Sequence, residues 1–374
     1  EQLTMSDVAK AAQDLYQDMG AVPVINAIGN MTMLGGSSPA ASVREAMDIA
    51  QRYFVDMDQL LAGSGRVVAD LLGCESALVT PGCSSALLLG TAACVAGDDP
   101  ERMARLPDTT GMKGEVVLQA SQRYKYERVV RMAGVELVIA GSPERVTADD
   151  VSAAIGPQTA AVLCPVLGTE TDAVVPLAQV VEIARGAGVP VIADAAYQVD
   201  PADHMRATAC SADLVGFGAK YFNAPNSSGL LCGRADLIDA ARAHTFAAFE
   251  RRELPGIGRP LKIDRQEVVA VVMALREWLT MDRNERDEAL SHQGRRLRDA
   301  VQGLPGVACD PASGDRVTGL RVIVDDAPKL AERLREGSPS IWCHVDDGSL
   351  SFGLHTVEEG DELVIADRLK ELLS

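Results

Sequence analysis

The chain has 374 residues, 47% of them apolar and only 4% aromatic, and it carries a formal net charge of -18. That length supports a large core and a second, smaller domain, while so acidic a balance argues against general affinity for nucleic acid or for an anionic membrane surface. Eight cysteines are scattered with no C-x-x-C pair, and neither a secretory leader nor a run of about twenty apolar residues occurs, so the expectation is a soluble, cytoplasmic α/β protein with reduced thiols and no zinc site.

Residues 5–19 place Val8, Ala12, Leu15 and Met19 at helical spacing, and Gly20 ends the run, so an N-terminal helical arm is expected over residues 1–20. Next, PVINAIGNMTMLGGSS is a short apolar strand that breaks into a loop. There Gly35 and Gly36 either make a tight turn or let backbone amides approach a ligand. The pattern from 43 to 61 is helical, and Gly63-Ser64-Gly65 is expected to open another helix through Leu72. In SALVTPGCSSALLLGTAACVAG an extended run meets Pro81 and turns into an Ala/Leu helix. Gly82, Cys83, Ser84 and Ser85 stand at that helix's N-terminus, either as an ordinary Ser-rich cap or as a cup for a phosphate.

Residues 97–113 are polar and suggest a surface excursion. GEVVLQASQRYKYERVVRMAG then predicts strand, loop and helix, leaving Gln122, Arg123 and Tyr124 at a strand's carboxyl end, where they are ordinary loop residues or one of them covers the face of a ligand's ring. TAAVLCPVLGTET is a strand ending at Gly168 and Thr169, and an amphipathic helix closed by Gly188 follows. This alternation predicts a mostly parallel sheet covered on both faces.

VIADAAYQ and ADLVGFGAKYFNAPNSSGLL carry the chemistry. Two apolar runs end at Asp194 and, through Gly218, at Lys220, the edge where an open α/β sheet presents groups to ligands. Singly, Asp194 serves equally as a helix N-cap and Lys220 as a surface lysine. As an ordered pair they supply what pyridoxal phosphate needs: an amine to hold its aldehyde, and a carboxylate to keep its ring nitrogen protonated. Further on, PGIGRPLKIDRQEVVAVV puts Arg259 and Lys262 ahead of a helix, at the unfavourable end of its dipole, so they are either solvated or facing an anion. Beyond about residue 290 the rhythm changes to short strands around helices. The expected organisation is a large domain over 21–260, then a connecting helix and a small α+β domain over 261–374.

Several stretches, VINAIGNMTMLGGS, FVDMDQL, SALVTPGCSSALLLGTAA, IADAAYQ, GAKYFNAPNSSGLLCGR and IGRPLKI, together resemble the D-glucosaminate-6-phosphate ammonia-lyase branch of the selenocysteine-synthase-like pyridoxal-phosphate enzymes. The likeness runs from about residue 20 to the end of the chain. It implies the aspartate aminotransferase fold, fold type I, and at least a homodimer with active sites between subunits. It implies that Lys220 is the Schiff-base lysine, that Asp194 is the partner of the ring nitrogen, and that Gly82, Cys83 and Ser84 form the phosphate cup. Gln122 and Thr169 are implied as further cofactor contacts, and Arg259 and Lys262 are offered an anion, such as a neighbour's cofactor phosphate. The chain departs from the pattern at Phe217, where a serine is expected, at Gln122, where a histidine is, and at His344 and His355, where arginines are. An imidazole does not replace a bidentate guanidinium on a carboxylate without loss, so either the substrate's carboxylate is held elsewhere, by Arg321 or Arg316 for example, or the substrate is not the family's usual one; Arg321 and His355 are the residues assigned to the substrate.

The expected reaction is a lyase one: α-proton abstraction by Lys220, β-elimination, and release of a 2-keto acid and ammonia. Within the same cofactor class the alternatives are a racemase, by reprotonation on the other face, and an aldolase, by breaking or forming a Cα–Cβ bond, on a small amino acid. A selenium transferase acting on charged tRNA is disfavoured by the acidic chain, and a paralogue that has lost its chemistry is the non-enzymatic alternative.

Overall fold

The computed structural model describes residues 7–166, 171–304, 309–313 and 316–373. Two compact units make up the chain, one of Ser38–Thr280 and the other of Glu1–Ser37 with Met281–Ser374.

The larger unit is built on a seven-stranded sheet of β2 (Ser76–Thr80), β3 (Glu115–Gln119), β4 (Glu136–Ala140), β5 (Thr159–Pro165), β6 (Val191–Asp194), β7 (Leu214–Gly218) and β8 (Gly229–Gly233). Their spatial order is β2-β8-β7-β6-β5-β3-β4. The five strands from β7 to β4 are parallel, and β8 is antiparallel to both its neighbours. β5, β6 and β7 are buried at every position, which is why their sequences are continuous apolar runs rather than alternating ones. Helix Gly82–Ala96 crosses this sheet's centre and is buried on nearly every side from Ser85 on. Its Ala, Leu and Val content follows, since a helix apolar all round belongs in a core, where each buried Leu or Val contributes about 1.5–3 kcal/mol.

Gly63, Ser64 and Gly65 do not open a helix, as the sequence suggested. They lie inside one, Met57–Leu72, whose start is set by Asp56 accepting from the Asp58 and Gln59 N–H groups at 3.0 and 3.1 Å. Glycine is placed there by packing, because a Cβ on Gly65 would lie 2.1 Å from the Ala77 carbonyl oxygen of β2. Helix Arg265–Thr280, expected as a connector to the small domain, packs against the helices Ala41–Gln51 and Met57–Leu72 of the larger unit.

The smaller unit holds a five-stranded sheet of β1 (Val24–Ala27), β9 (Cys309–Ser313), β10 (Arg316–Ile323), β11 (Ser340–Asp346) and β12 (Ser349–Gly353), ordered β1-β11-β12-β10-β9. β1 joins β11 in parallel, pairing Val24 to Ser340 through Ala27 to Cys343. The sequence reading assigned residues 21–260 to the large domain, whereas this first strand completes the small sheet and buries Ile25 and Ala27 in its core with Leu320, Val322, Ile341 and Phe352. Four residues, read singly, carry no sign of which sheet they will join. Helices Arg283–Val301, Ala327–Arg335 and Asp361–Leu373 complete this unit, and Glu362, wholly buried, is held by Arg296 at 2.6 Å, Gln293 and the Gly360 N–H. Among the described residues no helix is long and apolar enough to cross a membrane.

Candidate active site

β2, β6 and β7 bring their last residues to one edge of the large sheet. Because β8 is antiparallel to both β2 and β7, β2 runs with the parallel strands, and Thr80 and Gly218 both pair with Gly229. This carboxyl edge is where open α/β sheets take their ligands.

From β2 the chain passes through Pro81 into helix Gly82–Ala96, and no side chain caps that N-terminus. Its first N–H groups are therefore left for solvent or an anion. Gly82 adopts φ +81°, and Gly229 faces it so closely that a Cβ there would lie 2.5 Å from Gly82 C and 2.7 Å from the Cys83 N. Only glycine permits that approach. Ser84 is exposed in the first turn, and Ser85 turns back to donate to Pro81 O at 2.7 Å. In the neighbouring loop the Asn226 Oδ1 is buried without a hydrogen-bond partner.

Asp194 ends β6 at 8% exposure. One carboxylate oxygen, Oδ1, accepts from Cys83 Sγ at 3.4 Å and from the Ala196 N–H at 3.3 Å, while Oδ2 accepts from the Tyr124 hydroxyl at 2.6 Å. Burial pushes the Asp194 carboxyl up from its ordinary range, and the bonds from Tyr124, Cys83 and Ala196 pull against that. Reciprocally, burial and the Asp194 charge push both the Cys83 thiol and the Tyr124 phenol up, so each keeps its proton and donates it.

Lys220 lies in the 3-10 turn Ala219–Phe222 directly after β7, and Asn223 in the left-handed region (φ 61°) closes the turn. β6 and β7 are adjacent, with Asp194 paired to Gly216. The Ala195 N–H donates to Gly216 O and the Gly218 N–H to Ala196 O, so the Asp194 and Lys220 loops are stitched together. Tyr197 and Tyr221 meet edge to face at 6.2 Å, and the Lys220 Nζ lies 5.0 Å from the Tyr221 ring centre. Burial lowers the pKa of this half-buried amine.

The other expected residues fall as follows. Gln122 is buried, its amide donating to Pro165 O at 2.9 Å and accepting from Gln119 at 3.1 Å, so it fixes the loop rather than facing the carboxylate. Tyr124, two residues on, is the side chain from that loop that reaches Asp194. No sequence signal beyond an aromatic residue at a strand's carboxyl end marks it. Phe217 is wholly buried, and because Gly216 faces Cys83 and Leu87 of the helix, alternation along β7 turns Phe217 to the sheet's other side. Arg259 is paired with Glu250 at 2.6 Å, and Lys262 is exposed. Thr169 lies outside the described residues.

In the smaller unit His355 packs over Gly29, whose missing Cβ would sit 3.0 Å from the His355 Nε2. The His344 Nε2 lies 2.8 Å from Ile28 O. The two histidines thus flank one loop. Desolvation, then the charges of Arg286 and His344, lower the pKa of His355. Arg321 donates to Ser349 Oγ at 3.1 Å across the sheet, and the side chain of Arg316 falls outside the described residues.

A buried carboxylate, a half-buried amine and an uncapped helix N-terminus on one sheet edge would together satisfy a pyridine ring, an aldehyde and a phosphate. Residues 116–262 match the model of the aminotransferase class-V family. The chain is 33% identical to a 5'-C-glycyluridine monooxygenase-decarboxylase from a Streptomyces species, over 96% of this chain and 92% of the relative. It is 30% identical to the D-glucosaminate-6-phosphate ammonia lyase of Salmonella typhimurium, over 96% of this chain and 98% of that one. The chain belongs to the ammonia-lyase and selenocysteine-synthase-like family. A solved structure of a D-glucosaminate-6-phosphate ammonia-lyase superposes with a TM-score of 0.86 at 29% identity, covering 96% of this chain and 98% of the other. The family is one of fold type I, pyridoxal-phosphate-dependent enzymes, and the residues at the sheet edge fit that cofactor.

Proposed function

We propose that this protein is a pyridoxal-phosphate lyase acting on an amino acid or amino sugar acid. The α-proton is removed, a β-hydroxyl leaves as water, and hydrolysis of the dehydrated compound gives a 2-keto acid and ammonia. What carries the reading is the Lys220–Asp194 arrangement in a chain that matches an ammonia-lyase almost end to end.

When bound, the cofactor supplies an electrophilic aldehyde and a protonated ring that takes up the electron pair left at the substrate's α-carbon. Lys220 holds the aldehyde between turnovers. When free, its Nζ would take the substrate's α-proton, a role helped by the burial that lowers its pKa. Asp194 accepts the hydrogen bond of the ring nitrogen's proton, and its own burial keeps water from competing. Gly82, Cys83 and Ser84 direct the N–H groups of their uncapped helix end at the phosphate. Gln122 contributes by holding the loop that carries Tyr124. Thr169 is a further cofactor contact, and Arg259 and Lys262 meet a phosphate of the neighbouring subunit, Arg259 exchanging Glu250 for it. His355 and Arg321 are assigned to the substrate's carboxylate. The working protein is a cytoplasmic homo-oligomer, at least a dimer.

The 33% identity to a monooxygenase-decarboxylase favours a second reading, in which the substrate's carboxylate leaves as carbon dioxide and oxygen is consumed. Incubating the loaded enzyme with a panel of amino acids, amino sugar acids and nucleoside-linked amino acids separates the two. Keto acid and ammonia in equal amounts without oxygen uptake support the lyase, and carbon dioxide with oxygen uptake supports the second reading. Racemised substrate, or an aldehyde released without carbon dioxide or oxygen uptake, would overturn both.

A further inference from the structure

Nothing in the lyase reading accounts for Tyr124, although it makes the shortest contact to Asp194. The carboxylate receives three donors from three separate elements: the first turn of helix Gly82–Ala96, the loop after β3, and the turn after β6. The loop that presents Tyr124 is itself fixed. The Tyr124 N–H donates to Glu127 at 3.2 Å, Arg123 forks onto the same Glu127, Ser121 donates to Ala173 O at 2.8 Å, and Gln122 is locked onto β5. The backbone that carries the hydroxyl is therefore held in place beside the carboxylate by bonds other than the one to Asp194. The titratable groups that feel Asp194 are Cys83, Tyr124, Tyr197 and Tyr221.

We propose that Tyr124 and Cys83 are positioning residues for Asp194: by donating to its two oxygens they keep it a weak enough base that the proton it shares with the cofactor's ring nitrogen stays on nitrogen. This rests on the reading of Asp194 as the ring's partner. The count of acceptor sites leaves room for the ring, because a carboxylate oxygen has two lone pairs and the Tyr124 hydroxyl uses one of those on Oδ2. The direction follows from the acid–base competition. Each donor stabilises the ionised carboxylate, so removing one raises the proton affinity of Asp194 and draws the shared proton from nitrogen toward oxygen. A hydroxyl at 2.6 Å is the stronger donor and a thiol at 3.4 Å the weaker.

The test reads the ring nitrogen directly. The whole protein is loaded with cofactor labelled at its ring nitrogen, and the nitrogen resonance is recorded by NMR for the wild type, Tyr124→Phe, Cys83→Ala, Cys83→Ser and Asp194→Asn. The wild type is expected at the protonated-pyridine position. Tyr124→Phe is expected to move part of the way to the neutral position, as losing one bond to a charged group shifts a pKa by about one to two. Cys83→Ala should move less, and Cys83→Ser, which restores a donor, should return to the wild-type position. Asp194→Asn should go fully neutral. Near-wild-type circular dichroism and cofactor occupancy in each variant exclude a folding defect. If Tyr124→Phe and Cys83→Ala keep the wild-type resonance while Asp194→Asn moves, the positioning role is wrong. If Asp194→Asn also stays put, the reading of Asp194 as the ring's partner fails instead.

Discussion

Lys220, the proposed base and covalent anchor, is the second residue of the turn after β7. Lys220→Ala should therefore lose the imine absorbance of the bound cofactor and lower turnover by about a hundred- to ten-thousand-fold or more, with far-ultraviolet dichroism unchanged. An unchanged imine band in that variant would remove Lys220 from its assigned role. A second residue gives a prediction about pH. His244 is wholly buried, its Nε2 lies 2.9 Å from Gly97 O, its Nδ1 has no partner, and burial holds its pKa below the ordinary histidine value. The unfolded chain takes up the proton first, so the contribution is complete above about pH 6.5 and is lost as pH falls below it, by up to about 1.4 kcal/mol per pH unit. Urea midpoints from pH 7.5 down to 5 should decline less steeply for His244→Gln than for the wild type. Equal slopes would mean that burial leaves the His244 pKa at its unfolded value.

Helix Met57–Leu72 isolates how close packing selects a residue at the level of the element. Gly63 and Gly65 are both helical and look equivalent in the sequence. A Cβ on Gly63 would meet only the Arg66 Nη2, at 3.8 Å, whereas one on Gly65 would collide with the Ala77 carbonyl oxygen. Gly63→Ala should therefore stabilise the protein by about 0.5–1 kcal/mol through reduced backbone freedom. Gly65→Ala should destabilise it by about 1–3 kcal/mol or more, since helix and β2 must separate. Denaturant unfolding of both variants checks this, and a neutral Gly65→Ala would show that the helix slides freely on β2. The strand–helix alternation that builds the large sheet was legible in the sequence, because continuous apolar runs such as Val191–Asp194 and Leu214–Gly218 announce buried parallel strands. The destination of β1 was not. Its partner β11 is more than three hundred residues away, and pairing at that separation leaves no local trace.

The scale of the whole molecule brings in the apolar surface of the larger unit. Tyr53 and Phe54 are 76% and 94% exposed, Ile49 and Val55 stand beside them, and a groove of about 460 Å³ between helices Met57–Leu72 and Arg265–Thr280 is lined by Leu60, Val67, Val268, Val272 and Met273. Monomeric proteins rarely leave so continuous an apolar surface in water, which agrees with the proposed homo-oligomer. Sedimentation at micromolar concentration should give at least a dimer, and Phe54→Asp should shift it toward monomer by burying a charge wherever that ring is covered. A wild-type protein that sediments as a monomer at all concentrations would refute the oligomer. One that remains a dimer with Asp at 54 would place the interface elsewhere.

By itself the sequence determined the class of the large sheet and the order of its elements, and it put forward the two groups to which the chemistry is assigned in the proposal, because Asp194 and Lys220 each end an apolar run and a strand's end is a position that local pattern can mark. Tertiary structure alone decided which side chains surround them. Cys83 and Tyr124 come to one carboxylate from positions 111 and 70 residues away, Gln122 turns to the backbone instead, and Phe217 joins the core. His344 and His355 settle on a loop near the start of the chain. The physical reason is the same in each case: a strand's period fixes which face a residue takes, but what waits on that face is set by elements that arrive from elsewhere in the chain.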